Sequence, residues 1–362
     1  MSTGTPSAAS VPDSNSDASA ASTHPGIDED AVLAWFADDG IEHTGPLDYT
    51  RIGLGQSNLT YLVCDAAGRR WVLRRPPLGR LLQSAHDVAR EARILSALGP
   101  SEVPTPQVYA LTTDGRFSDV PMLLMEFVDG TVIDTVAVAE SLSLTERRGV
   151  GLAMPANLAR IHSVDLASVG LDDLASHGAY APRQLKRWTG QWEKSKTRES
   201  AEFESLTKRL TAAVPEQTET TLVHGDFHLR NVVADPSRGE LAAVLDWELT
   251  TLGDPLADIG SLLAYWPEPD DSSSGGFIGA NVEGFPMRAE LAAAYLDQTG
   301  RDPAALQFWH AMALWKLTVI AEGVMRRGID NPRNRASAGT PMLDLVDGIL
   351  QRAIEVADAA GI

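Results

Sequence analysis

The period of the apolar positions divides the chain into recognisable stretches. Residues 28–38 place Val32, Leu33, Trp35 and Phe36 at helical intervals and predict an amphipathic helix. A strand-rich stretch follows as far as Val128, interrupted only by V-A-R-E-A-R-I-L-S-A-L at residues 88–98, which returns to the helical period. Beyond Gly130 the pattern is mainly helical. Residues 144–162 keep apolar spacing around Pro155, and a proline there lacks the N–H for the helical ladder, so a kink or break is expected. Residues 308–325, with Phe308, Trp309, Met312, Trp315, Leu317 and Val319, read as a buried helix whose aromatics are core. The first 26 residues are mostly Ser, Ala, Thr, Pro, Asp and Gly, too poor in large apolar side chains to offset the entropy of ordering, and are expected to form a disordered tail. The fold class expected is α+β in two lobes: residues 27–128, rich in strands, and residues 129–362, mainly helical.

The chemistry concentrates where that helical half is interrupted. Residues 224–231 read H-G-D-F-H-L-R-N between the apolar pairs Leu222-Val223 and Val232-Val233, and a further apolar run, residues 241–245, leads to Asp246. Polar groups held in a loop between short buried strands are placed where catalytic groups concentrate. Asp226 and Asn231 are five apart, the spacing of a kinase catalytic loop, in which the aspartate receives the acceptor's hydroxyl proton and the asparagine holds magnesium. Asp246 stands where a second metal ligand is expected, and oxygen ligands of this kind suit a hard cation such as Mg²⁺. Turn-forming or capping roles account for one or two of these residues, though not for all three in register.

Upstream, residues 52–63 read I-G-L-G-Q-S-N-L-T-Y-L-V. Gly53 and Gly55 let a backbone approach phosphates closely, and Gln56, Ser57 and Asn58 add polar groups to the turn, which an ordinary hairpin would also explain. Arg74 ends the strand-like run W-V-L-R-R, with Glu91 17 residues on in the helical segment. A strand cation that binds nucleotide phosphates and pairs with a helix glutamate has this arrangement, with lysine in its usual place. Strand alternation sends Arg74 and Arg75 to opposite faces, and Arg74 is the one assigned to the nucleotide. Arg69, Arg70 and Arg80 fit a solvated basic face equally well.

Taken together, G-x-G-Q-S-N-L-T-Y, V-L-R-R-P-P, M-E-F-V-D-G and V-H-G-D-F-H-L-R-N with L-D-W-E-L-x-x-x-G-D-P-L-A-D resemble the aminoglycoside phosphotransferase and choline kinase superfamily. More narrowly, the same motifs together with S-A-H-D-V-x-R-E and R-Q-L-x-R-W resemble the branch found beside, or fused to, acyl-CoA dehydrogenases. The resemblance runs from about residue 48 to about residue 327 and implies a protein-kinase-like fold with a small antiparallel sheet. It implies ATP and Mg²⁺ as cofactors, Asp226 as catalytic base and Asn231 and Asp246 as metal ligands. Residues 124–128 become the hinge that meets adenine, with Glu126 and Val128 contributing backbone groups. His224 is expected to brace the catalytic loop, and Asp254 and Asp258 to fix the loop and helix start that follow. Glu248 points the same way as Asp246 if the strand persists. No D-F-G or A-P-E segment of a protein kinase is present, and nothing resembles a flavin site.

Composition sets limits on partners. The chain has 362 residues, 44% of them hydrophobic, enough for two lobes with a substantial core. A net charge of −19 argues against nucleic acid, and it permits a cationic acceptor without requiring one. Cys64 is the only cysteine, so no internal disulfide forms, and its apolar surroundings predict a buried packing role. No apolar run is long enough to span a bilayer and the first residues lack the pattern of a secretion signal, so a soluble, cytoplasmic protein without membrane contact is expected. A homodimer is compatible with the sequence.

The expected partner is a small hydroxyl acceptor, bound by residues 180–192, the loop 270–285 and the helix face 309–316. The loop contains D-D-S-S-S-G-G-F, suited to a lid or to a plain surface loop. Arg183, Lys186, Arg187, Trp188, Lys194 and Lys196 form a basic, aromatic cluster that suits an anionic acceptor if it faces the cleft. The readings in play are a kinase of hydroxyacyl-CoA or hydroxy acids, an aminoglycoside phosphotransferase, and a nucleotide-binding pseudokinase that acts as a regulatory partner.

Overall fold

A computed structural model describes residues 24–53, 58–78, 87–175, 178–269, 271, 278–330 and 342–362. Gly55, Gln56 and Ser57, Arg80, nearly all of the tail and most of the loop 270–277 lie outside the described residues.

The N-terminal lobe is a five-stranded antiparallel sheet with a helix on each face. Helix α1 (Glu29–Asp38) starts where the Asp28 side chain accepts from the Ala31 N–H, satisfying one of the donors that a helix start leaves unpaired. Strands β1 (Leu47–Ile52), β2 (Leu59–Asp65) and β3 (Arg70–Arg75) form consecutive hairpins. Helix α2 (Val88–Leu98), capped by Asp87, then leads to β4 (Val108–Thr112) and β5 (Met122–Glu126), giving the strand order β1-β2-β3-β5-β4. The period of two separates the faces. Tyr61, Val63, Trp71, Leu73 and Leu124 pack beneath Val32, Trp35 and Phe36 of α1, whereas Val72, Leu123 and Met125 join the larger core with α2. Cys64 is only half-buried, because alternation along β2 turns it to the more open face. The packing role expected of it is correspondingly weaker.

The C-terminal lobe is helical apart from two short ribbons. Helices α3 (Val136–Ser141), α4 (Leu144–His162), α5 (Tyr180–Ser195) and α6 (Ala201–Ala212) precede β6 (Thr221–Val223), β7 (Val232–Asp235), β8 (Glu240–Val244) and β9 (Thr251–Gly253). Helices α7 (Leu256–Ala264), α8 (Arg288–Thr299), α9 (Pro303–Asp330) and α10 (Leu343–Ala359) complete it. The ribbons pair β6 with β9 and β7 with β8. The expected break at Pro155 does not occur: α4 runs through it. A capping box between Ser143 and Glu146 fixes the start of α4, and Val150, Met154, Leu158 and Ile161 bury the helix on both sides of the proline, so tertiary packing outweighs the lost hydrogen bond.

Helix α9 is the spine, packed on α5, α6, α7 and α10. Its approach to α7 depends on Gly260, where a Cβ would sit 2.6 Å from the Trp309 carbonyl carbon. The lobes are joined by residues 127–131, and Thr131 exchanges two backbone hydrogen bonds with Ala234 of β7, at 2.8 and 2.9 Å. That bridge ties the linker to the ribbon that carries the polar loop.

Candidate active site

The loop 224–231 hangs between β6 and β7 and is fixed from below by Asp258 on α7. The Asp258 carboxylate accepts from the backbone N–H of His224 at 2.7 Å and of Gly225 at 2.9 Å, and from His162 Nε2 at 3.2 Å. His162 in turn accepts from the Tyr295 hydroxyl at 2.6 Å through Nδ1, so it is a packed residue at the end of α4. These donors outweigh the burial of Asp258, which alone would raise its pKa, and hold the carboxyl below its ordinary range.

His224 is wholly buried and spaces the two aspartates. Its Nε2 donates to the Leu245 carbonyl at 3.0 Å, and its Nδ1 accepts from the Asp226 N–H at 3.2 Å, a pair of bonds that only the neutral ring makes. Burial lowers its pKa in the same sense. One imidazole therefore sets the catalytic loop against the residue before Asp246. Gly225 has a positive φ of 84°, and a Cβ there would lie 2.8 Å from the Leu249 carbonyl oxygen, so this close approach admits only glycine.

Around Asp226 the groups are donors. Asn231 Nδ2 gives hydrogen bonds to the Asp226 carbonyl at 2.9 Å and carboxylate at 3.1 Å, and His228 Nε2 lies 3.5 Å from the same carboxylate. Lys316 of α9 donates to the Gly225 carbonyl at 3.1 Å. Burial pushes the Asp226 carboxyl upward, but the His228 hydrogen bond and the charges of His228 and Lys316 override it and hold the group well below the usual carboxylate range. It is an anion throughout the physiological range and a weak base.

Asp246 is the one non-glycine with positive φ among the described residues, at φ 64° and ψ 61°. A left-handed aspartate costs roughly 1–2 kcal/mol, and such strain is held where a side chain must be aimed. Its carboxylate is aimed at Arg74. Arg74 NH2 donates to Asp246 Oδ1 at 2.6 Å, Nε lies 3.0 Å from Glu91 Oε2, and Glu248 Oε2 is 3.8 Å from NH2. The Asn58 amide, turned with its oxygen toward the guanidinium, accepts from Nε and NH2 at 3.2 Å. Alternation of β3 has sent Arg75 the other way, to the Gly26 carbonyl and Asp119. Glu248 reaches this cluster by a route the sequence did not suggest, since the strand ends at Val244 and the chain turns through residues 247–249.

Among the described residues, three carboxylates thus converge on Arg74. Burial pushes Glu91 up to about 7, with Arg74 opposing and the charges of Asp246 and Glu248 adding to the rise. Beside this cluster a cleft of about 210 Å³ opens between the lobes. Its walls are Ile52 and Val72 from the sheet, Met125 and Phe127 near the linker, and Val233 and Leu245 from the C-terminal ribbon. Glu126 and Val128 also line it, and the Glu126 carboxylate accepts from the Gln107 N–H at 3.1 Å. Gly53 has a positive φ of 79° at the end of β1, the conformation expected of a turn beside a phosphate site.

The basic cluster of α5 divides. Lys196 pairs with Glu193 and Glu199, and Arg183 donates to the Leu252 carbonyl at 3.0 Å. Trp188 and Arg187 lie by Lys316, whose ammonium is 5.3 Å from the Trp188 ring centre. The helix face 309–316 assigned to the acceptor ends at Lys316, whereas His228 and Tyr265, whose ring lies 4.8 Å from His228, were not singled out by sequence reasoning. For Lys316 a signal existed: it is the only lysine or arginine in residues 303–325 of an otherwise buried helix.

The sequence pattern of the phosphotransferase enzyme family matches residues 48–309. The chain belongs to that family. Its curated relatives include mouse acyl-CoA dehydrogenase family member 10, 38% identical over 83% of this chain, and rat acyl-CoA dehydrogenase family member 11, 32% identical over 80%. The matched regions are 28% and 37% of those proteins, so the chain spans well under half of either. Among solved structures, a candidate aminoglycoside phosphotransferase from Ralstonia eutropha superposes with a TM-score of 0.74 at 29% identity, covering 92% of this chain and 98% of that one. Aminoglycoside phosphotransferase APH(4)-Ia, in a ternary complex with AMP-PNP and hygromycin B, gives 0.58 at 15% identity over 91% and 97% of the two chains, a likeness of fold alone. The protein-kinase-like fold of a phosphotransferase is therefore established for this chain.

Proposed function

We propose that this phosphotransferase is an ATP- and Mg²⁺-dependent small-molecule kinase that moves the γ-phosphoryl group to a hydroxyl of its acceptor. The observation that carries the reading is His224, whose two ring nitrogens hold the Asp226 loop and the Leu245-Asp246 turn against each other at one end of an apolar interlobe cleft. ATP as substrate fits that cleft with adenine between the sheet and Val233 and Leu245, at the linker residues Glu126 and Val128, and with phosphates toward Gly53, Asn58 and Arg74.

The donor set fits a hard divalent cation. Glu91, Asp246 and Glu248 exceed the single charge of Arg74, and Asp246 and Asn231 are the oxygen ligands assigned to Mg²⁺. Among the described residues no group of three or more His, Cys, Asp or Glu forms a metal cage of its own, so substrate phosphates and water would complete the coordination. The ion would neutralise charge on the phosphate oxygens as the bond to ADP breaks.

Asp226 accepts a hydrogen bond from the acceptor hydroxyl and aims its oxygen at the γ-phosphorus. The P–O bond to the acceptor forms, the bond to ADP breaks, and the hydroxyl proton passes to Asp226 and then to solvent. A carboxylate held this acidic orients the nucleophile early and takes the proton late, which suits a loose phosphoryl transition state. Asn231 keeps the carboxylate in place, and His224 keeps the loop in place.

For the acceptor we favour a hydroxyacyl-CoA or hydroxy acid, on the ground that the curated relatives are acyl-CoA dehydrogenase family members 10 and 11. An aminoglycoside is the second reading, favoured by the APH(4)-Ia complex with hygromycin B. Phosphoryl transfer from γ-labelled ATP is to be measured against hydroxyacyl-CoAs, hydroxy acids, aminoglycosides and choline. Label in the first two classes is the expected result, label only in aminoglycosides would move the assignment, and absence of Mg-ATP binding would overturn the kinase reading itself.

A further inference from the structure

Cations gather beside Asp226 although the chain as a whole carries a net charge of −19. Lys316 is the one residue between positions 311 and 319 of α9 that is not buried, and its side chain reaches the Gly225 carbonyl and the Trp188 ring while its helix neighbours fill the core. Its ammonium gives one hydrogen bond, to the Gly225 carbonyl at 3.1 Å, and lies over the Trp188 ring at 5.3 Å. Arg187, exposed on the same turn of α5, lies over the same ring at 5.5 Å, close enough to depress the Lys316 pKa. Among the described residues neither Lys316 nor Arg187 forms a salt bridge. Burial is the largest cause of the lowered Lys316 pKa, with Asp226 and Asp258 opposing it, and a cation so placed is stabilised by an added anion.

We propose that Lys316, Arg187 and Trp188 are the specificity-determining face of the acceptor site, and that they bind an anionic group carried by the acceptor near the hydroxyl presented to Asp226. The inference rests on the kinase reading and deepens it: the indole supplies a flat apolar floor, and the two cations bracket a carboxylate or phosphate. A polycationic acceptor meets like charge on this face. The carboxylates that act on Lys316 are Asp226, which already receives Asn231 and His228, and Asp258, which is buried beneath the loop.

The test compares three acceptors of equal chain length, a hydroxy acid, its uncharged methyl ester and its coenzyme A thioester, together with kanamycin. Wild type, Lys316→Met, Lys316→Arg and Arg187→Ala are assayed with Mg-ATP. The wild type is expected to favour the acid over the ester, whereas preference for the thioester, whose phosphates lie a pantetheine arm away from the acyl hydroxyl, would overturn the placement of the anion beside Asp226. Lys316→Met and Arg187→Ala are expected to raise the KM for the acid at least about tenfold, the loss of one charge-assisted hydrogen bond, and to cut the anion-to-ester selectivity in proportion. Lys316→Arg should recover most of it. Preference for the ester or for kanamycin overturns the proposal, as does an equal slowing of acid and ester, which would assign Lys316 to the transferred phosphoryl group or to the fold. ATP binding and hydrolysis without use of any anionic acceptor sinks this proposal alone, whereas no ATP binding sinks the kinase reading with it.

Discussion

Arg74 governs the stability of this end of the site, because among the described residues it is the cation that meets Glu91, Asp246 and Glu248. Removing one partner of a buried ion pair leaves the others uncompensated, so Arg74→Met should lower the unfolding free energy by about 3 kcal/mol and weaken Mg-ATP binding, read by denaturant titration and calorimetry. Asp254 behaves in the opposite sense. It is buried at the start of α7, its carboxylate accepting from the Leu256 N–H at 2.9 Å, and burial raises it to about 6. The folded chain therefore holds a proton that the unfolded chain releases at lower pH, and this group's contribution falls as pH rises from about 4 to about 6. Asp254→Asn, which keeps the acceptor, should gain on the order of 2 kcal/mol at pH 7.5 and little at pH 4, and a gain independent of pH would refute the assignment. The acidic Asp226 carboxyl, in contrast, leaves no titration of its own in the activity profile between pH 5 and 8.

At the scale of elements, what is contiguous in sequence was readable. The loop 224–231 carries its own spacing, α2 spans the residues that its apolar period marked, and β3 sends Arg74 and Arg75 apart as alternation requires. What depends on distant partners was not. Pro155 sits inside α4 because the surrounding core holds the helix together, and Asp246 adopts its left-handed turn instead of extending β8. The helix face ending at Lys316 was assigned to the acceptor, but the contact of Lys316 with Gly225, 91 residues away in sequence, emerged only from the packing of α9. The same close packing makes the α7–α9 contact sensitive to one atom. Gly260→Val places side-chain atoms against the Trp309 backbone, which a Cβ alone would approach to 2.6 Å, and should cost about 1–3 kcal/mol or more, measured as a fall in the urea midpoint without a change of slope.

For the molecule as a whole, the two lobes meet through the linker bridge at Thr131 and through Arg74, and the nucleotide would lie between them. A ligand that binds only the folded chain stabilises it by about 2.7 kcal/mol at a hundredfold excess over Kd, so Mg-ATP should raise Tm by several degrees, and Asp246→Asn should remove most of that rise. The central claim is that Asp226 directs phosphoryl transfer in a site that binds nucleotide independently of it. Its most direct test is ³¹P NMR of Mg-ATP and the anionic acceptor with wild type and Asp226→Asn at equal nucleotide occupancy. The account predicts one new phosphomonoester for each ADP formed by the wild type, and a rate about a thousandfold lower in the variant with Mg-ATP affinity nearly unchanged. Phosphomonoester formed at a comparable rate by Asp226→Asn would contradict it.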